Sequence, residues 1–129
     1  MSEGDRRARI GVLISGRGSN LQALIDAARI PQFPAEIALV MSNDPSAAGL
    51  DRARGAGIET AAIDHKDFTD RPAFERAMTA RLETAGVEIV CLAGFMRLLT
   101  ETFVEHWFDR LINIHPSLLP AFKGLDTHG

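Results

Sequence analysis

The sequence predicts an α/β fold in which a mostly parallel, open β-sheet carries helices on both faces. Short apolar runs typical of buried strands alternate with segments whose apolar residues recur at helical spacing. Neither an internal repeat nor a low-complexity segment interrupts this alternation. Parallel strands need crossover connections, and because these crossovers are right-handed, the helices are expected to cover both faces of the sheet.

The individual elements follow from the order of the apolar runs. The strands are predicted at residues 10–14, 37–41, 60–63, 87–93 and 111–114. Helices are predicted from residue 19, over 47–56, between 70 and 86, and after residue 100. The apolar stripe of the third helix is assigned to the core, and it consists of Phe74, Ala77, Met78, Leu82 and Ala85.

Capping residues predict where three of the helices begin. Ser19 and Gln22 have the spacing of a capping box at the start of the first helix. Asp70 can cap the third helix, with Pro72 in its first turn. Thr100 can cap the short fourth helix.

The composition argues against several classes of protein. The net charge of −3 and the pI near 5.8 provide no basic field for nucleic acid. No apolar run approaches the roughly 20 residues that a membrane helix needs, and residues 1–9 lack the apolar segment of a secretory signal. We therefore expect a cytoplasmic protein. Cys91 is the only cysteine and lies in an apolar run, so it is expected to pack in the core.

A glycine-rich segment, Ser15-Gly16-Arg17-Gly18-Ser19-Asn20, joins the first strand to the first helix. Such a junction presents backbone N–H groups and the positive end of the helix dipole, which suit a phosphate. A tight turn that needs glycine for backbone reasons explains the same residues. The segment lacks the third glycine of a dinucleotide-binding loop and the Gly-Lys-Ser/Thr of a P-loop. Neither a dinucleotide nor a nucleotide triphosphate is therefore well supported as its ligand.

Two further strand ends carry candidate functional residues. Asn113 and His115 are two residues apart, so both are expected on one face at the end of a buried strand, where they form either a catalytic pair or structural contacts. The apolar loop from Met96 to Leu99 follows another strand and either lines a pocket for a flat ring or packs in the core. Arg71 begins a helix, where a cation is unfavourable, and either binds an anion or is solvated. His65 is interpreted as a solvated loop residue.

Three segments resemble the phosphoribosylglycinamide formyltransferase family. They are Ile14-Ser15-Gly16-Arg17-Gly18-Ser19-Asn20-Leu21-Gln22, Leu92-Ala93-Gly94-Phe95-Met96-Arg97 and Asn113-Ile114-His115-Pro116-Ser117-Leu118-Leu119-Pro120. The third is shared with other formyltetrahydrofolate enzymes, whereas the glycine-rich opening is similar to the glycinamide ribonucleotide enzymes in particular. The resemblance extends from Arg9 to His128 and implies a Rossmann-like fold.

The resemblance also implies roles for individual residues. Gly18, Ser19 and Asn20 would bind the phosphate of phosphoribosylglycinamide. The folate of 10-formyltetrahydrofolate, the formyl donor, would contact Arg71, Met96, Arg97, Leu98, Leu99 and Asn113. Asn113 and His115 would be catalytic, and neither a metal nor a covalent nucleophile is expected. The expected partners are therefore small molecules, not nucleic acid or a membrane, and a homodimer is compatible with the resemblance.

By the same resemblance, residues 1–129 form the phosphate-binding N-terminal portion of such an enzyme and lack the family's C-terminal part. That part holds a third catalytic residue, an aspartate that supports the histidine cation, and Asp126 is not its counterpart. Other interpretations are a formyltetrahydrofolate hydrolase, a methionyl-tRNA formyltransferase and an inactive binding fragment. No room is expected before Ile10 for the hydrolase's regulatory domain. A nucleotide-dependent dehydrogenase is disfavoured by the missing third glycine.

Overall fold

A computed structural model describes residues 7–114 and places in them a five-stranded, all-parallel sheet. The strands lie in the order β3-β2-β1-β4-β5. Their bounds are Ala8–Ile14 for β1, Ala35–Ser42 for β2, Thr60–Ala62 for β3, Ile89–Leu92 for β4 and Leu111–Asn113 for β5. The predicted parallel sheet is therefore confirmed, with strand ends that differ from the sequence-based bounds by at most two residues.

Within residues 7–114, four α-helices connect the strands, and a short 3₁₀ helix at His65–Asp67 precedes the third of them. The α-helices are α1 (Ser19–Ala28), α2 (Ala48–Gly55), α3 (Arg71–Thr84) and α4 (Glu101–His106). Asp70 caps α3 by accepting from the Ala73 N–H at 2.8 Å, and Thr100 caps α4 by accepting from the Phe103 N–H at 3.4 Å. Both predicted caps are confirmed. No helix within residues 7–114 is long and apolar enough to cross a membrane.

The helices cover the sheet from both sides, as predicted. On one face α1 and α2 pack over a core that includes Val12 and Leu24. On the other face α3 and α4 pack over a core that includes Leu13 and Trp107. Val12 and Leu13 are consecutive in β1 and both fully buried, because side chains alternate across a strand that is covered on two sides.

The prediction that residues 111–114 form a buried strand is wrong for part of its length. Leu111 is partly buried, but Asn113 is exposed and Ile112 is 45% exposed. Within residues 7–114, β5 is the edge strand of the sheet and pairs only with β4. An edge strand has a neighbour on one side only, so an apolar run is not enough to bury it.

Candidate active site

The order of the strands creates a crevice between the carboxyl ends of β1 and β4. From β1 the chain passes to α1 on one face of the sheet, and from β4 it passes to α4 on the other. Ligands of open α/β sheets bind where the connections diverge in this way. A cleft of about 480 Å³ opens there, with residues 15–20 on one wall and Ala93, Gly94 and Met96 on the other.

The first wall of the cleft is the amino end of α1, and it has no side-chain cap. Gly18, not Ser19, occupies the N-cap position, and its carbonyl accepts from the Gln22 N–H at 2.8 Å. The predicted capping box is therefore wrong. Because Gly18 adopts a left-handed conformation (φ 77°), helical geometry already begins at Ser19. No capping side chain occupies the N–H groups of the first turn, which can bind an anion together with the helix dipole.

Close packing against α2 determines the shape of the glycine-rich loop. A Cβ atom on Gly18 would lie 2.8 Å from the Gly49 Cα atom, and one on Gly49 would lie 3.1 Å from the Gly18 Cα atom. The Gly49 N–H donates to the Gly16 carbonyl at 3.0 Å, and Arg52 Nε donates to the Arg17 carbonyl at 2.8 Å. The two glycines therefore allow the backbones of the loop and α2 to pack closely. This packing holds the loop in a shape that leaves the side facing the cleft open.

Ser15 connects the two walls of the cleft. Its hydroxyl donates to Asn43 Oδ1 at 2.8 Å and accepts from the Met96 N–H at 2.7 Å. Asn43 is buried at the end of β2, and its side-chain nitrogen lies 3.3 Å from His65 Nδ1. The interpretation of His65 as merely solvated is wrong, since the ring is partly buried and also packs edge-on against Phe74. One polar network therefore joins the ends of β1, β2 and β4.

The apolar loop after β4 divides its side chains between solvent and core. Met96 is 80% exposed and Leu98 is 74% exposed, whereas Phe95 and Leu99 pack against the core beneath α3. Core packing is therefore confirmed for Leu99, whereas a pocket for a flat ring beside Met96 and Leu98 stays a prediction. Exposed apolar side chains beside a cleft are typical of a ligand surface.

Arg71 and Arg97 both line a second, smaller cavity of about 180 Å³ near the same edge of the sheet. Arg71 is exposed at the start of α3, and Arg97 is partly buried in the apolar loop. His65, Phe68 and Phe74 are among the other residues that line this cavity. Two guanidinium groups beside aromatic walls suit a ligand that carries both an apolar portion and a carboxylate.

Asn113 ends β5 at the same edge of the sheet as the cleft. It pairs with Leu92 of β4, and the next N–H, that of Ile114, donates to the Leu92 carbonyl at 2.8 Å. Its side chain is exposed and therefore accessible to a ligand. His115, the other predicted catalytic residue, lies outside the described residues, so its position relative to Asn113 stays a prediction.

Comparison with known proteins shows which family the chain belongs to. Residues 8–129 match the family model described as formyl transferase. The chain belongs to the formyl transferase family. Its parallel sheet with helices on both faces is also the architecture of a solved formyltransferase from Brucella melitensis. That phosphoribosylglycinamide formyltransferase aligns with a TM-score of 0.82 and 50% identity over 95% of this chain and 64% of its own.

Two relatives match the chain over only part of their own length. It is 48% identical over 119 residues to the phosphoribosylglycinamide formyltransferase of Escherichia coli, covering 92% of this chain and 56% of that protein. It is 53% identical over 123 residues to the human trifunctional purine biosynthetic protein adenosine-3, covering 95% of this chain and 12% of that protein. The chain thus spans about half the length of the first relative and about an eighth of the second.

Three polar residues near the strand ends form hydrogen bonds that the sequence pattern does not predict. Ser15 lies in the glycine-rich segment and Asn43 directly follows β2, and neither position predicts the hydrogen bond between them. Glu75 lies next to Phe74, beside the apolar stripe of α3, yet it is only 4% exposed. Polar residues directly after two neighbouring strands are a signal for such a network, but their pairing depends on strand order.

Cys91 packs in the core of the formyl transferase chain, as predicted, and burial raises the pKa of its thiol to about 11. The thiolate is the reactive form, so the native protein should be inert toward iodoacetamide at pH 8. Mass spectrometry should detect alkylation of this cysteine only after addition of denaturant. Equally fast alkylation with and without denaturant would show that the thiol is accessible in the native state.

Proposed function

We propose that the polypeptide containing this chain transfers a formyl group from 10-formyltetrahydrofolate to the amine of 5-phosphoribosylglycinamide, a step of de novo purine (IMP) synthesis. The observation that carries the proposal is the cleft between β1 and β4. One wall is an uncapped helix start suited to phosphate, and the other is an apolar loop suited to a flat ring. The family membership and the names of the relatives favour this pair of substrates.

The phosphate of the acceptor substrate is assigned to the first wall. Gly18 sets the helix start, while Ser19 and Asn20 supply backbone N–H groups and polar side chains to the cleft. An anion gains from these groups and from the positive end of the α1 dipole. Among the described residues that line this cleft the charged one is Arg17, a cation, which favours the binding of a dianion.

The folate is assigned to the second wall and the neighbouring cavity. Met96 and Leu98 would contact its ring system, Leu99 would support them from the core, and Arg71 and Arg97 would face its carboxylates. Asn113 would contact the donor near the formyl group. The Ser15 hydroxyl accepts a hydrogen bond from the Met96 N–H, which would fix the position of this wall relative to the wall assigned to the phosphate.

The chemistry needs a donor for a developing negative charge and a proton carrier. The substrate amine attacks the formyl carbon, a C–N bond forms, and the carbonyl electron pair moves onto the formyl oxygen. Asn113 would donate a hydrogen bond to that oxygen, and His115 as a cation would stabilise it. Collapse of the intermediate breaks the bond to N10 of the folate, and His115 can pass a proton to this leaving nitrogen. The attacking nitrogen loses one proton, which the now neutral His115 or water can accept, so that the net reaction neither consumes nor releases a proton.

A formylation assay on the full polypeptide encoded by the gene tests the proposal. With 10-formyltetrahydrofolate and phosphoribosylglycinamide, it should produce formylated phosphoribosylglycinamide and tetrahydrofolate in equal amounts. Release of formate without an amine acceptor would instead indicate a hydrolase, and transfer to aminoacyl-tRNA would indicate the tRNA enzyme. Binding of phosphoribosylglycinamide without turnover would indicate a binding module. Any of these three results would contradict the proposal.

The remaining expectations about cofactor, location and assembly belong to this proposal. The formyl donor is a co-substrate, and the reaction as written uses no metal. The substrates are charged small molecules that do not cross membranes unaided, so we propose a cytoplasmic location. A homodimer stays a prediction, which the mass of the full polypeptide in solution would test.

Ser19→Ala should mainly raise the KM for phosphoribosylglycinamide. The phosphate is bound similarly in the ground and transition states, so losing one hydroxyl contact weakens binding without slowing the chemical step. Steady-state kinetics with the donor at saturation would measure the effect. An unchanged KM would mean that the side chain has no part in phosphate binding.

A further inference from the structure

We propose that Glu75 is a positioning residue that holds the apolar loop of residues 96–99 in the shape that binds the formyl donor. The inference rests on the proposed function, because the loop's ligand is assigned there. Glu75 lies in α3 with only 4% of its surface exposed, and nothing in the proposed chemistry uses it. A carboxylate so deeply buried is costly unless hydrogen bonds compensate it.

Both carboxylate oxygens of Glu75 accept hydrogen bonds from the same residue, Thr100. The Thr100 N–H donates to Oε2 at 2.7 Å, and the Thr100 hydroxyl donates to Oε1. Thr100 directly follows the apolar loop and also caps α4. Glu75 therefore fastens the carboxyl end of the loop to α3 through two charge-assisted hydrogen bonds.

The other end of the loop is held by a separate hydrogen bond. The Met96 N–H donates to the Ser15 hydroxyl at 2.7 Å, at the wall of the cleft. Between these two attachments Met96 and Leu98 stay exposed, although apolar side chains gain nothing from water. A loop fixed at both ends keeps such side chains available to a ligand at little further cost in conformational entropy.

The chain offers a matched control for the loss of Glu75. Glu83 also lies in α3 and also contacts α4, where its Oε2 atom is 2.9 Å from His106 Nε2. That contact is exposed and lies at the far end of α4 from the loop. Glu83→Ala thus removes the same charge and a contact between the same two helices without touching the loop.

The decisive experiment compares Glu75→Ala with Glu83→Ala in the full polypeptide. Glu75→Ala should raise the KM for 10-formyltetrahydrofolate about tenfold and leave the KM for phosphoribosylglycinamide within about twofold, since misplacement of a binding loop is costly for its own ligand. Glu83→Ala should change neither KM. Glu75→Gln, which keeps an acceptor for the Thr100 N–H, should restore most of the donor affinity.

A second measurement does not depend on the activity. Exchange of the Met96 amide proton, followed by NMR, should accelerate in Glu75→Ala but not in Glu83→Ala, because freeing one end of the loop loosens the other. Unchanged Met96 exchange, or equal rises in both KM values, would overturn the positioning role. If the unmodified polypeptide transfers no formyl group, the proposed function fails, and the exchange result still decides whether Glu75 holds the loop. Should Glu75→Ala fail to fold, Thr100→Val can replace it. This variant should raise the KM for 10-formyltetrahydrofolate and the Met96 exchange rate in the same direction by smaller amounts.

Discussion

Replacement of Asn113 by alanine should lower kcat in the full polypeptide about 10²–10³-fold, the usual cost of losing one donor to a developing oxyanion. The KM values for both substrates should change little, because the hydrogen bond strengthens as charge grows on the formyl oxygen. The exposed position of Asn113 at the end of β5 makes such a contact sterically available. Single-turnover kinetics would isolate the chemical step.

His115→Ala should have an effect of similar size for a related reason, since the same oxygen and the leaving nitrogen depend on it. Ile112→Val is a suitable control, because Ile112 precedes Asn113 on β5 and is itself 45% exposed. It should retain nearly full activity. A loss smaller than about threefold in both Asn113→Ala and His115→Ala would contradict their catalytic assignment.

Gly18→Ala should destabilise the protein by about 2–4 kcal/mol, since it combines an unfavourable left-handed conformation with a backbone clash. The new Cβ atom would lie 2.8 Å from the Gly49 Cα atom, and neither backbone can rotate away as a flexible side chain could. Displacement of the loop should also raise the KM for phosphoribosylglycinamide. Urea unfolding monitored by circular dichroism would measure the stability change.

Gly16 provides the internal comparison for this prediction. It lies in the same loop, has no positive φ, and a Cβ atom there would meet nothing within 4 Å. Gly16→Ala should therefore change the free energy of unfolding by less than about 0.5 kcal/mol. Equal destabilisation by the two substitutions would show that the contact with Gly49 is not what requires glycine at position 18.

Much of the fold was predictable because its signals are local. The continuous apolar run of residues 10–14 predicts most of the first strand, and Asp70 and Thr100 cap their helices in the way that their residue types favour. The predicted capping box at Ser19 is wrong because the packing of Gly18 on Gly49 overrides the local pattern of serine and glutamine. That packing comes from α2, about 30 residues further along the chain, and no local pattern reveals it.

The sequence by itself determined the α/β class, the order of elements and the motifs that place the chain among formyl transferases. Only the tertiary structure decided which strand ends are neighbours, and hence that Ser15 contacts both Asn43 and Met96. It also decided that Met96 and Leu98 are exposed while Leu99 is packed, and that Glu75 is buried against Thr100. The physical reason is that apolar periodicity and capping act within a few residues. Burial and polar pairing instead depend on which distant segments the sheet brings together.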